Sequence, residues 1–265
     1  MKRTLTMSIL LTVFVVPALA FARPEPAPAI DVRVISDRGG EFPRYRTYPR
    51  VRGVGAYYYM EAVRGETYSI EVINRSDRRV GVVIAVDGRN IISGEKSDLK
   101  NSERMYIIEP YASNTFEGWR TGMDRTNRFY FTGQSDSYAE RVFADASAMG
   151  TIAVAAYREK VRELPPVSPS MKSRRSGSHG AGSQSHRDSK NSCEAEDAGT
   201  GFGSTTYSPV RLVSFDPEKK IAGKVVLKYE WRSELCRKGI IQCGPGNRFW
   251  PDDMGFAPIP HDFRE

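Results

Sequence analysis

From Arg44 to Arg52 the chain reads Arg-Tyr-Arg-Thr-Tyr-Pro-Arg-Val-Arg, a run in which guanidinium groups are interleaved with aromatic rings. Arginine grips phosphate or carboxylate through paired N–H bonds, and an aromatic ring stacks on a sugar or a base. Arg44, Arg46, Arg50 and Arg52 are therefore candidate contacts for an anionic ligand. The competing reading is a loop or edge strand that carries charge to keep other edges away. Tyr57-Tyr58-Tyr59 follows. Successive strand residues point to opposite faces, so at least one of these rings should be exposed. Tyr57 and Tyr59 are candidates for stacking on sugar, with half-buried strand tyrosines as the simpler alternative.

Catalytic constellations are scarce. Nucleophilic hydrolysis needs a serine or cysteine, a base and a group to orient that base. The histidines are His179, His186 and His261. The first two fall in a Ser/Gly/Arg-rich stretch and the third in a Pro-rich tail, where nothing holds a base in register. No Gly-x-Ser-x-Gly elbow occurs. Paired carboxylates would suit a glycosidase. Glu103, Glu109, Glu117, Asp124, Asp136 and Asp145 are scattered near expected strand ends, a pattern that ordinary surface acids also produce. Asp136, Glu140 and Asp145 are too few for calcium, which takes six or more oxygens, so residues 134–147 read as turn-forming loops. Gly201-Phe202-Gly203 lacks the remaining glycine of a dinucleotide motif and reads as a loop. Asn74-Arg75-Ser76 matches the N-glycosylation acceptor, a pattern short enough for chance to supply. No cofactor and no metal is expected.

Cys193, Cys236 and Cys243 allow three pairings, each with one thiol left over. Gly239 lies between Cys236 and Cys243, and Gly244-Pro245-Gly246 follows, so the chain can turn back and join those two. Cys193 can compete or pair between chains. The spacings supply too few ligands for a metal site.

The N-terminus carries the strongest positional signal. Met1-Lys2-Arg3 is a positive n-region, Ile9–Val16 an apolar core broken by Pro17, and Ala18, Ala20 and Ala22 offer small residues for cleavage. The apolar run is too short to span a bilayer. Residues 1–22 read as a leader for export, and no later run is long enough to cross a membrane. Losing Lys2 and Arg3 lowers the net charge from +7 to +5. That mild excess favours anionic envelope components and is too weak to argue for nucleic acid.

Short strands are what could position these groups. After a Pro-rich lead-in over 23–30, apolar and polar residues alternate in Asp31–Ser36 and Thr67–Ile73. Val80–Val86 is a nearly continuous β-branched run, and Asp87-Gly88 predicts a type I′ hairpin into Arg89–Ile92. Further strands are expected at Arg104–Ile108, Asn114–Trp119, Asn127–Thr132 and Thr151–Arg158, then at Val210–Phe215 and Lys224–Trp231. Phe129 and Phe131 should face one way. Residues 165–203 hold almost nothing apolar and read as a disordered linker, with order resuming near Tyr207. The last strands are too few to stand alone, so they should return to the first sheet.

The segments Val80–Gly94 (VGVVIAVDGRNIISG), Phe116–Arg120 (FEGWR), Phe129–Thr132 (FYFT) and Ser147–Glu159 (SAMGTIAVAAYRE) resemble a group of uncharacterised exported proteins of Gram-negative bacteria. The resemblance spans about residues 65–160, implies export and a β domain, and brings no activity.

These readings predict an all-β chain. An antiparallel β-sandwich should occupy 31–164, and 204–265 should add strands and an irregular tail to the same domain. The expected function is that of an exported, non-enzymatic binding or envelope-associated protein, periplasmic or secreted. Its expected partners are anionic envelope polysaccharide, lipid headgroups, or a protein that pairs with an edge strand. The alternatives are a secreted carbohydrate-active enzyme using carboxylates and a structural accessory subunit of an envelope assembly.

Overall fold

Alternating apolar residues build two facing sheets. The computed structural model describes residues 29–47, 55–161 and 197–243. The leader, the lead-in to residue 28, Arg50, Arg52, most of the expected linker with Cys193, the three histidines and the tail from 244 lie outside the described residues.

In chain order the strands are β1 (Ile30–Ser36), β2 (Arg44–Arg46), β3 (Ala56–Ala62), β4 (Thr67–Asn74), β5 (Val80–Val86), β6 (Arg89–Asn90) and β7 (Tyr106–Ile108). There follow β8 (Ser113–Phe116), β9 (Gly118–Arg120), β10 (Arg125–Gly133), β11 (Thr151–Glu159), β12 (Ala198–Thr200), β13 (Thr205–Tyr207) and β14 (Pro217–Trp231). Two short helices, α1 (Tyr138–Phe143) and α2 (Arg232–Arg237), complete the inventory. One sheet runs β1-β4-β10-β12, with β8 on β4 and β9 and β13 on β10. The other runs β2-β3-β14-β11-β5-β6, with β7 on β5.

Between the sheets lie Val32, Val34, Ile70, Val72, Phe129 and Phe131 from one side, and Val82, Ile84, Ile152, Val154, Val225 and Leu227 from the other. Apolar side chains removed from water on both inner faces supply the main driving force. Phe129 and Phe131 do face inward together, as the alternation predicts. β5 is buried along its whole length because its outer face is covered too. Val83 packs there with Ala155 and Tyr157 under Leu99, Met105 and Ile221. That double burial explains a β-branched run without alternation.

The all-β sandwich is as expected, with five differences in detail. The β3–β14 ladder is parallel, although its neighbours are antiparallel. The single strand expected at Asn114–Trp119 is split at Glu117, and its halves pair with different partners, β4 and β10. Residues 210–215 form no strand, and Leu212 there is 86% exposed. Residues 138–143, read as loop, form α1, which Ser137 caps by accepting the Glu140 N–H. Residues 197–203, read as linker, are folded: β12 pairs with β10, and a Cβ on Gly201 would meet the Tyr130 ring at 2.1 Å. Glycines that signal disorder by composition serve here for close packing. β14 sits in the middle of its sheet, between β3 and β11.

Cys236 in α2 and Cys243 stand at disulfide distance, with Cα atoms 5.5 Å apart. Gly239, at φ 68°, turns the chain back between them.

The Asp87-Gly88 turn has φ 48° and 77° and joins Val86 to Arg89 as a two-residue hairpin. Asp87 is also the hub of a buried polar network. Its Oδ1 accepts the Gly150 N–H at 2.8 Å, the Thr151 N–H at 3.3 Å and the Tyr229 hydroxyl at 2.5 Å. Its Oδ2 accepts the Thr200 N–H at 2.7 Å. The Thr200 hydroxyl lies 2.7 Å from both the Tyr229 and Tyr68 hydroxyls. Burial pushes the Asp87 carboxyl up to about 6, against the opposing pull of the Tyr229 and backbone hydrogen bonds. The three hydroxyls can donate toward an ionised Asp87 or, reversed, accept from a protonated one, so either state keeps partners.

This yields the first prediction. The native pKa of Asp87 is about 6, above the ordinary value of 3.8. Its protonation therefore stabilises the fold fully below pH 3.8, and that contribution is lost as pH rises through 6, a swing of about 3 kcal/mol. Asp87→Asn keeps the Oδ1 bonds but sets an amide N–H against the Thr200 N–H, costing about 2 kcal/mol at pH 7. Urea melts of the two proteins from pH 4 to 7 should show this Asp-specific slope in the parent and not in the variant. Asp87→Ala strands three backbone N–H groups and should cost about 4 kcal/mol or more.

Candidate functional site

The described residues among those singled out for binding, Arg44, Arg46, Tyr57 and Tyr59, do not converge. Arg44 is a structural cation: its guanidinium bonds Asp31 at 2.9 Å, Glu41 at 3.1 Å and the Val32 carbonyl at 2.6 Å. It also lies 5.4 Å from the centre of the Tyr58 ring. Burial works against ionisation of Asp31, yet its bonds from Arg44 and Arg75 hold its carboxyl below the usual range. Arg44 thus clamps β2 against β1, and its charge is consumed. Arg46 is exposed opposite Tyr58 in the β2–β3 ladder and makes no ion pair among the described residues. Tyr57 and Tyr59 point to the outer face of their sheet, half-buried. Tyr59 stands opposite Tyr45 and beneath the Lys238 ammonium, 5.8 Å from its ring centre. Tyr58 turns inward against the core.

The candidate carboxylates are each engaged separately. Glu109 pairs with Arg79, Glu117 with Arg128 and Asp124 with Arg125. Asp136 accepts from Tyr130 and Thr132, which with Arg141 keep it below its ordinary range, and Asp145 is held low by Ser147 and Arg89. Glu103 closes its own loop by accepting the Asp98 and Lys100 N–H groups and the Ser97 hydroxyl. No two of these acids share a partner, and none of the six lines the cavity described below. Asn74 is fully buried and donates to the Arg78, Ile108 and Glu109 carbonyls, so it is closed to glycosylation.

A site of another composition lies where the edge strands β7 and β9 come together. A cavity of about 340 Å³ is walled by Ile92, Met105, Tyr106, Met123, Val210 and Leu212. Three arginines, Arg104, Arg120 and Arg211, line it, and among the described residues no carboxylate does. Arg120, the last residue of β9, anchors the site. Its Nε donates to the Tyr106 hydroxyl at 2.6 Å, and its terminal nitrogens donate to the Gly122 carbonyl at 3.1 Å and the Ser208 carbonyl at 2.8 Å. A further bond of 3.0 Å reaches the Ser208 hydroxyl. Every one of these partners is neutral, so among the described residues its charge stands uncompensated, with one of five N–H groups left over from these bonds. Burial holds the Tyr106 hydroxyl above its ordinary range, which keeps it a neutral acceptor for Arg120. Arg104 and Arg211 are exposed at the rim and make no ion pair among the described residues.

Three loops meet here. The Ser208 N–H bonds the Asp124 carbonyl and the Val210 N–H bonds the Met123 carbonyl, each at 2.8 Å, which lays residues 208–210 along the β9–β10 turn. Gly81 opens room for Met105 and Phe215, since a Cβ there would meet the Met105 sulfur at 2.2 Å. Arg104, Arg120 and Arg211 are far apart in sequence and individually ordinary, so no spacing signals them. Only the return of residues 205–215 brings the third to the other two.

The fold and this cavity define a class: an all-β sandwich with a basic, apolar-walled pocket at one sheet edge. No family model, curated protein or solved structure matches the chain.

Arg120→Lys keeps the charge but cannot make the fork of bonds to Tyr106, Gly122 and Ser208. It should cost about 2 kcal/mol in unfolding free energy. Hydrogen exchange should speed up at the Val210 amide while the β5 and β11 amides stay protected.

Proposed function

We propose that this protein is an exported, non-enzymatic binding protein whose ligand is an anion carrying an apolar group, held in the cavity between Arg104, Arg120 and Arg211. One observation carries the reading: three arginines line a cavity whose other walls are largely apolar and which, among the described residues, no carboxylate enters. Arg44, by contrast, meets the acids Asp31 and Glu41. Arginine binds phosphate or carboxylate through two parallel bonds, and the apolar wall accommodates the remainder of such a ligand.

Export is supported by the leader pattern of residues 1–22, by the resemblance to exported proteins of Gram-negative bacteria, and by a cysteine pair at disulfide distance. Periplasm or exterior is the compartment of the reading, and the envelope supplies anions with apolar parts in quantity. Among the described residues no helix is long and apolar enough to cross a membrane. Arg44, Tyr57 and Tyr59 move from ligand contacts to framework in this reading, and Arg46 becomes a control.

Phenyl phosphate is a suitable probe, with benzyl alcohol as its neutral counterpart. Calorimetric titration should detect phenyl phosphate and not benzyl alcohol, with affinity falling as salt is raised. Arg104→Ala and Arg211→Ala should each weaken binding about tenfold, whereas Arg46→Ala should leave it unchanged. Equal binding by the parent and the Arg104→Ala/Arg211→Ala double variant would refute the site.

A further inference from the structure

The rim of the cavity is apolar where solvent would favour polar residues. Leu212 is 86% exposed, Met123 51% and Val213 45%, and Tyr207 nearby is 76% exposed. Leu212 and Met123 are themselves cavity-lining residues, so the exposed apolar rim and the three arginines form one surface. Its base is firm, because 208–210 is bonded to 123–124 through the backbone. Asp124, the acid adjoining this rim, is tied to Arg125 at 3.2 Å. The surface therefore presents positive charge level with the cavity mouth and apolar tips just beyond it.

Resting on the anion-binding reading, we propose that this face docks on a bilayer of anionic lipid. A lipid phosphate enters between Arg104, Arg120 and Arg211, while Leu212 and Met123 enter the interfacial layer. The argument is charge complementarity joined to exposed apolar side chains. A negatively charged leaflet attracts arginine, and aliphatic tips gain by leaving water at the headgroup boundary. A tyrosine such as Tyr207 suits the interface because its ring is apolar and its hydroxyl is wet. Neither feature is explained by the fold: Leu212 contributes nothing to the core, and the three charges repel one another across the cavity.

Vesicle sedimentation tests this with the full chain, so that any contribution of residues 1–22 is common to every variant. The parent should be retained by vesicles of equal parts phosphatidylcholine and phosphatidylglycerol more than by phosphatidylcholine alone. Each of Arg104→Ala and Arg211→Ala should reduce the anionic excess about fivefold. Leu212→Ser combined with Met123→Ser should reduce it comparably while phenyl phosphate binding persists, which separates membrane insertion from anion recognition. Thermal melts should place all variants near the parent, since the altered side chains are exposed. If phenyl phosphate binds but vesicle retention ignores both sets of changes, docking is overturned and the cavity reading survives. If neither probe binds, both readings fall. If the Leu212→Ser/Met123→Ser change instead abolishes a concentration-dependent dimer, the face belongs to a second copy and docking is overturned.

Discussion

The Asp87 carboxylate is the joint on which the arrangement of the two sheets depends. Groups from four other stretches of chain meet at it: Gly150 and Thr151 before and in β11, Thr200 in β12 and Tyr229 in β14 directly, and Tyr68 in β4 through the Thr200 and Tyr229 hydroxyls. Apolar packing alone would leave the sheets free to slide, because burial is non-directional. Around the joint lie stacked rings, with Tyr68 centred 4.3 Å from Phe131 and Phe131 centred 5.2 Å from Tyr229. The rings supply area, and the hydrogen bonds fix one register among the arrangements that area would allow. A buried charge is costly, and four donors aimed at its two oxygens offset that cost.

The joint also governs the C-terminal return. β12 is only three residues long, too short to hold its place by ladder bonds alone. Asp87 takes the Thr200 N–H directly, and Trp119 adds a bond of 3.0 Å from its indole N–H to the Gly201 carbonyl. With 200–201 fixed, 205–207 falls onto β10 and 208–210 onto the β9–β10 turn. Arg211 and Leu212 are thereby carried to the rim of the cavity. The basic pocket is thus a consequence, several bonds removed, of a polar contact deep in the sandwich.

Most strands were legible because their signal is local. Asp31–Ser36, Thr67–Ile73, Val80–Val86 and Thr151–Arg158 announce themselves through alternation or β-branching, and Asp87-Gly88 announces its turn through tolerance of positive φ. The parallel β3–β14 ladder was not legible, since pairing direction depends on the route of the intervening chain. Glycine misled at 199–203, where freedom of the backbone and room for Tyr130 or Met149 look identical in composition. Arginine is ambiguous in the same way. Residues 44–52 look like a binding surface because the charges are adjacent, yet a charge can be spent on acids distant in sequence, as Arg44 spends its charge on Asp31. Arg104, Arg120 and Arg211 look ordinary because nothing near them in sequence reveals that they will share a cavity.

Compensation is distributed unevenly among the cations of this chain. Arg33, Arg44 and Arg75 gather around Asp31, Glu41 and Glu71, and Arg78 and Arg79 meet Glu218, Glu159 and Glu109. Partly exposed pairs of this kind add modestly to stability, and they remove like-charge repulsion and fix orientation. At the β7–β9 edge the fold follows another rule. Arg120 is held by carbonyls and hydroxyls that position a guanidinium without neutralising it. Neutral partners leave the field of the cation intact, and low-dielectric walls such as Ile92, Met105 and Val210 weaken its screening by water. Two more arginines at the rim strengthen the same field. An arrangement that keeps positive charge oriented, poorly screened and unpaired among the described residues sacrifices stability, and on the proposed anion-binding reading that cost is recovered when an anion enters the cavity.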